Sequence, residues 1–487
     1  MSDCELVKSK RGKNILFHEG YCYHLNRSRD SKFYWRCSER DTSRCNVFIT
    51  TSLTNNTHSI LSKNHEHAHL PDPEKYIQLK LKANIKEKAN HSMDTPAQII
   101  QKCIQEVPSS SAPHMPNKDA MRMLVHRVRN KDFPTIPTDI RHIVIPNELA
   151  EIGSEQFLLG HYTENDECVI VFATNKNIRL LNAADYWLMD GTFRCCPHPF
   201  CQIYSIHAMV GTQEGTHKIV PLVYGLLSHK TEKCYTIFLQ ILKRQALNRL
   251  NMCLNPRIIM TDFERAAMRA IKKVFPCSIN KLCYFHLNQS IWRHIQSAGL
   301  VTRYNKDPSF AHKMRHFGAM AFLEPTEIVD AFDIIKDEII PEEAKRVTTW
   351  FGDYYVNGST RISKHVSSKM TLKQRPPMFP PHMWSVHDSQ MSHVPLSQNA
   401  LESWHNRWNT LLGRRKWNIF RTITEFKKEQ QNTDFIIECI NSSQPMPKRK
   451  RLQSAYKERI TQHLSKKSEM DTKTYLSGLA HICHLIK

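Results

Sequence analysis

The chain has 487 residues, enough for roughly three domains, and its 40% apolar and 23% charged content is that of an ordinary folded protein. Lys and Arg number 68 against 46 acids, a formal charge of +22 that points to a polyanionic partner, nucleic acid above all. No run approaches the roughly 18 apolar residues of a membrane span, and the opening MSDCELVKSKRGKN lacks a signal-peptide core, so a protein of the cytosol or nucleus with no membrane partner is expected.

In that setting the fifteen cysteines read as reduced thiols or metal ligands, not a disulfide framework. Residues 17 to 69 hold short aromatic and β-branched runs, Tyr21 to Tyr23, Phe33 to Trp35 and Val47 to Ile49, between polar turns, which predicts a small β module. Cys37, Cys45, His67 and His69 follow one another with seven, twenty-one and one residues between them. These ligand types suit tetrahedral zinc, and a module this small gains folding energy from a structural metal. His65 competes for one place, because HEHAH offers three histidines.

Three helical stretches follow, 74 to 90, 96 to 107 and about 118 to 131. Thr95, Pro96 and Gln98 supply a cap, a first-turn proline and a capping-box partner, and PSSSAPHMP (108 to 116) reads as a linker. On the third stretch Met121, Leu124, Val125 and Val128 form one face and Arg122, His126 and Arg129 another, a pattern that suits a helix lying along DNA. The bland reading is a surface helix with solvated arginines.

From 168 onward strands and helices interleave. Strands are expected at 169–173, 186–193, 202–210 and 218–227, then a helix at 231–250, a strand at 257–261, a helix at 263–274 and a strand at 281–285. Three consecutive strands continued by strand–helix–strand units imply an α/β domain, antiparallel in part and parallel in part. Residues 300 to 395 read as helical and irregular.

Within WLMDGTFRCCPHPFC (187 to 201) either Cys195, Cys196, His198 and Cys201 hold a metal or Asp190 is the working group. Adjacent cysteines point to opposite faces of any strand, and Pro197 and Pro199 mark a turn, so Asp190 is preferred. Asp262 ends an apolar strand just before a helix, where it is either a ligand-binding group or a helix cap. In SQNALESWHNRWNTLLG, Glu402, His405 and Asn409 line the margin of an apolar stripe. The three acids are spaced 72 and 140 residues apart, on strand middle, strand end and late helix.

LMDGTF, IMTDFERA, LCYFHLNQSIWRHIQ and NALESWHNRWN, in that order over about 186 to 430, resemble the catalytic domain of MULE (Mutator-like) transposases. The resemblance implies a ribonuclease-H-like fold with a helical insertion at about 300–395, catalytic Asp190, Asp262 and Glu402 holding Mg²⁺ or Mn²⁺, and an accessory Cys283 and His286. It also implies cleavage and transfer of DNA strands; a homo-oligomer on DNA, located in the nucleus, is expected. Ser397, Gln398 and Asn399 depart from the two adjacent asparagines common before the third-acid helix. GYCYHLN, FYWRC and HAHLPDPEK resemble the FLYWCH zinc finger, which implies DNA binding and Cys37, Cys45, His67 and His69 as the zinc ligands.

The expected layout is therefore a finger over 1–72, a helical segment over 73–135, the α/β domain over 136–430 and a basic tail over 431–487. Residues 411 to 467 carry 14 Lys or Arg against 5 acids, and Lys448, Arg449, Lys450 and Arg451 form a cluster suited to DNA phosphate or nuclear import. The alternative function is a non-catalytic zinc-finger DNA-binding regulator.

Overall fold

The computed structural model describes residues 4–8, 13–54, 57–92, 94–129, 131, 133–134, 137, 139–211, 217–364, 370–391, 398–412, 418–442 and 451–483. Apart from residues 411–413, the chain divides into two compact units after Thr135.

The first unit opens with a six-stranded antiparallel sheet in sequence order: β1 (Glu5–Lys8), β2 (Asn14–His18), β3 (Tyr21–Arg29), β4 (Lys32–Cys37), β5 (Phe48–Thr54) and β6 (Thr57–Lys63). Its core is small, built on Leu16, Tyr23, Trp35, Val47 and Ile49, and the Trp35 indole is satisfied by Thr51 Oγ1 at 2.8 Å. Helices α1 (Pro73–His91), α2 (Pro96–Ile104) and α3 (Lys118–Arg129) share a second core around Leu81, Ile85, Ile99, Ile100, Met121 and Val125. The Thr95–Gln98 capping box starts α2 as its sequence dictates, and the 108–116 linker contains a 3₁₀ stretch over Ser109–His114.

One expectation fails in α3. Arg129 is buried, donating to the carbonyls of Ala89 (3.1 Å), Ser92 (2.8 Å) and Asp94 (2.7 Å), so it does not present its charge to DNA. Helical phase explains the difference: eight residues beyond Met121, Arg129 returns to within about 80° of the apolar stripe. There it meets carbonyls around the end of α1 that need a donor. Arg122 stays at the surface in an ion pair with Asp119.

The second unit is built on a seven-stranded mixed sheet. Its strands are β7 (Leu158–Glu164), β8 (Glu167–Phe172), β9 (Tyr186–Thr192), β10 (Gln202–Val210), β11 (Lys218–Leu227), β12 (Ile258–Thr261) and β13 (Ile279–Leu282), in the order β13-β12-β9-β10-β11-β8-β7. β9 pairs parallel with β12, and β12 with β13; the other neighbours are antiparallel. Helices α4 (Asn175–Ala183), α5 (Glu232–Leu250) and α6 (Arg265–Val274) bury one sheet face around Trp187, Met189, Ile206 and Ile259. The opposite face, with Leu188, Ile258 and Met260, packs against Cys283 and Leu401. The expected strand at 281–285 ends at Leu282, and α7 (Tyr284–Ser297) begins directly after Cys283.

Residues 301–391 are mainly helical, with one hairpin pairing Ser359–Lys364 to Met370–Arg375. Their own core includes Phe317, Phe322, Phe351 and Trp384. Tyr475, Leu476, Leu479 and Ala480, on the helix Thr472–Ile482, are buried in that same core. The C-terminal segment is thus not simply a basic tail: it supplies a packed helix, whose apolar stripe the surrounding charge obscures in the sequence. Lys448, Arg449 and Lys450 lie outside the described residues, and Arg451 opens the helix Arg451–Leu464.

Losing the buried Arg129 guanidinium leaves its carbonyl acceptors unpaired, a cost of about 2–4 kcal/mol. Arg129→Ala is expected to speed amide hydrogen exchange in α1 and α3 by about 30-fold or more, as RT ln K requires. Unchanged protection in both helices would assign Arg129 no structural role.

Candidate functional site

In the first unit, β4 ends on Cys37, a helical turn over Arg40–Ser43 leads to Cys45, and the chain reverses at His65 (φ 49°) to deliver His67 and His69. One donor atom from each of Cys37, Cys45, His67 and His69 lies within 4.8 Å of all the others. Cys37 Sγ is 3.2 Å from His69 Nε2, and Cys45 Sγ is 3.3 Å from His67 Nδ1. The remaining ring nitrogens are already engaged: Tyr23 Oη is 2.7 Å from His67 Nε2, and the Leu70 carbonyl is 3.0 Å from His69 Nδ1. Tyr21 also stacks on the His67 ring at 3.5 Å. A second shell of this kind fixes which imidazole nitrogen faces an ion. Two thiols and two oriented imidazoles fit structural Zn²⁺, and the exposed His65 is no part of the set.

In the second unit, β9 and β12 run parallel with Leu188 opposite Met260. Continuing that register by two residues sets Asp190 beside Asp262, on the sheet face shared with Leu188 and Met260. Adjacent strands lie about 4.8 Å apart, so the two carboxylates are close neighbours. Asp190 accepts from the Gly191 amide at 2.7 Å. A Cβ at Gly191 would stand 2.5 Å from Gln202 Oε1, so a larger residue there needs the Gln202 amide to shift. Asp262 accepts from the amide of Glu264, the N-cap position of α6, at 3.2 Å, so it shapes the strand–helix turn and is not itself the helix cap.

The third acid arrives on α8 (Asn399–Leu412). Trp404 and Trp408 seat this helix, Trp408 against Phe426 of α9 (Ile419–Asn441) and Trp404 against His207 of β10. Immediately before α8, the Gln398 side-chain amide donates to the carbonyls of both Met189 and Met260 at 2.9 Å, and its backbone N–H donates to Cys283 Sγ at 3.2 Å. One residue thereby joins both acid-bearing strands, the start of α7 and the start of α8.

Glu402 is partly buried, and its Oε1 has no hydrogen-bond partner. Its companions at metal-binding distance are Cys283 and His286, within 4.8 Å, whereas the two aspartates complete no such group with it among the described residues. His405, a turn along α8, is buried with Nδ1 3.5 Å from Asp190 Oδ2 and Nε2 unpartnered. Cys195, Cys196, His198 and Cys201 form no ligand cluster among the described residues.

Burial drives the electrostatics. It raises Asp190 well above the usual carboxylate range, helped by Asp262 and Glu402, and pushes Asp262 up to about 6, helped by Glu264. Burial also pushes Glu402 up to about 7 and holds His286 and His405 down at about 4. Lys230 counteracts the shift at Asp262, and its Nζ lies 3.2 Å from the Phe193 ring centroid. Sequence reasoning did not select Lys230, Glu264 or Gln398 as site residues, because their roles depend on contacts across the fold.

Residues 186–290 match the family model of the MULE transposase domain, and residues 6–69 match that of the FLYWCH zinc finger domain. The first match spans Asp190, Asp262, Cys283 and His286 and ends before Glu402; the second spans all four finger ligands. Together they support a transposase-like DNA-binding protein. No match was found among curated proteins.

Removing metal, or making Cys45→Ser, is expected to abolish hydrogen-exchange protection over β2–β5 while leaving β9–β11 protected. Persistence of both sets would rule out a folding role for the ion. A second expectation concerns Glu402, whose folded pKa of about 7 exceeds its unfolded value of about 4.3. The folded state therefore holds the extra proton, and the associated stability is full below about pH 4 and lost as pH rises through about 7. In metal-free protein, the stability change on Glu402→Gln should be more favourable at pH 8 than at pH 5. Equal effects in chemical denaturation at the two pH values would refute this.

Proposed function

We propose that the protein is a DNA transposase whose α/β domain is ribonuclease-H-like, and that Asp190, Asp262 and Glu402 are its catalytic acids. The parallel register of β9 and β12, which continued past Leu188–Met260 brings Asp190 beside Asp262 just beyond the end of β12, is the observation that carries this reading. The order β13-β12-β9-β10-β11, with its three antiparallel and two parallel strands, supports the fold assignment.

Hard carboxylate oxygens suit Mg²⁺ or Mn²⁺, and the unpartnered Glu402 Oε1 is a free donor at the margin of the acid pair. Bound divalent ions would supply Lewis-acid activation of the attacking and leaving oxygens of a phosphodiester. The residues' own work is positional: the strand register fixes the aspartates, and Gln398 ties α8, which bears Glu402, to both strands.

The reaction has two displacements. Water first attacks phosphorus and the P–O3′ bond breaks, freeing a 3′-hydroxyl and leaving a 5′-phosphate. That hydroxyl then attacks a target phosphodiester and expels a target 3′-hydroxyl. Lys230 stands where it can meet DNA phosphate near Asp262, and the +22 charge supplies sequence-independent affinity. The FLYWCH finger contributes DNA binding, and the protein acts as a homo-oligomer in the nucleus.

A second reading is favoured by one observation, the grouping of Glu402 with Cys283 and His286 instead of the aspartates. It makes the chain a DNA-binding regulator that has kept the fold but not the cleavage.

Metal-dependent nicking of candidate terminal-repeat DNA separates the two. Asp262→Asn should lower cleavage at least about 100-fold while leaving DNA affinity within about twofold. Equal cutting by variant and parent would remove the acid assignment; salt-sensitive binding by a parent that never cuts would establish the regulator.

A further inference from the structure

We propose that Cys283, His286 and Glu402 form a second transition-metal site in this protein, one that takes a borderline divalent ion of the zinc class. It is separate from the finger and draws its ligands from two helices. Cys283 caps α7, His286 lies in the first turn of the same helix, and Glu402 lies in the first turn of α8. The Cys-x-x-His spacing brings the first two ligands to one side of the α7 start, and the α8 helix brings the third.

The donors are close enough to share an ion. Atoms of all three residues lie within 4.8 Å of one another, and tetrahedral zinc holds its donors roughly 3.3–3.8 Å apart, so modest side-chain rotation completes the site. Their hydrogen bonding is also that of a site awaiting a ligand. His286 Nδ1 and Glu402 Oε1 are buried without partners, an arrangement that costs stability unless something else engages them. Cys283 is fully buried, and its sulfur accepts the Gln398 N–H at 3.2 Å, a contact that stabilises a metal-bound thiolate.

The donor set selects the ion. Thiolate, imidazole and carboxylate together suit Zn²⁺, whereas Mg²⁺ and Ca²⁺ prefer oxygen alone. Three protein ligands leave a fourth position for water.

One consequence rests on the transposase reading: an ion held here engages Glu402 and withholds it from the aspartates, so zinc would suppress Mg²⁺-dependent cleavage. The site itself does not rest on that reading, because metal content is measured without DNA.

The full chain, loaded with Zn²⁺ and dialysed against metal-free buffer, should hold two zinc equivalents by elemental analysis. His286→Ala and Glu402→Gln should each hold one, with unchanged circular dichroism. Two equivalents in all three proteins, or one in the parent that Cys45→Ser abolishes, would overturn the proposal.

Cobalt gives an independent readout. In a Cys37→Ser/Cys45→Ser double variant the finger has no thiolate, so a surviving thiolate-to-Co²⁺ charge-transfer band should come from Cys283. Its loss on adding His286→Ala supports the site, and its absence from the double variant, or survival after His286→Ala, refutes it. No Mg²⁺-dependent cleavage by the parent once zinc has been removed from this second site would instead count against the transposase reading alone.

Discussion

The acid site of the second unit hangs on the Gln398 side-chain amide, whose nitrogen donates to the carbonyls of Met189 and Met260. Those carbonyls belong to the residues one before Asp190 and two before Asp262. The same residue's backbone N–H donates to Cys283 Sγ, and its carbonyl accepts from the amides of Leu401 and Glu402. A side chain that reaches two strands at once must sit over the line between them. Placing the start of α8 by this bond also brings Glu402, one turn on, within 4.8 Å of Cys283 and His286 at the start of α7. The aromatic contacts of Trp404 and Trp408 then fix the rotation of the helix, which carries Glu402 and His405 to its inner margin.

How much of this is legible in the sequence depends on whether a residue's role is set locally. The strands at 202–210 and 218–227 and the Thr95 capping box are written in short apolar and β-branched runs and a four-residue motif, and they form as read. The finger ligands are legible for the same reason, since soft donors in a small module have few other uses. The start of α7 is not: Cys-Tyr-Phe extends an apolar run, and so short a run does not distinguish strand from helix. The later spacing of Leu287, Ile291 and Ile295, all buried, is the signal that favours helix.

Longer-range roles escape such reading altogether. Arg129 looks like a surface cation until α1 supplies the carbonyls that engage it, and Gln398 looks like a departure from a motif until β9 and β12 supply theirs. A glutamine offers an amide N–H₂ that can serve two acceptors, and here it serves one on each strand. The edge strand Leu158–Glu164 is missed for another reason: its polar, glycine-containing sequence lacks the alternation of a half-buried strand.

The polar groups gathered beneath α8 make the site expensive to fold without a ligand. Asp190 is buried beside a second carboxylate, while Glu402 Oε1, His286 Nδ1 and His405 Nε2 are buried without partners. A region selected for stability alone would fill this space with apolar side chains, as the neighbouring cluster of Tyr186, Leu188, Ile258 and Met260 does. Cations relieve both costs, because they replace carboxylate repulsion with attraction and give unpartnered donors something to bind. The mixture of hard oxygen donors on one side of Glu402 and thiol and imidazole on the other then makes this glutamate the shared residue. On the two proposals above, its conformation would decide whether the α8 helix completes an oxygen-only set with the strands or a sulfur–nitrogen–oxygen set with α7.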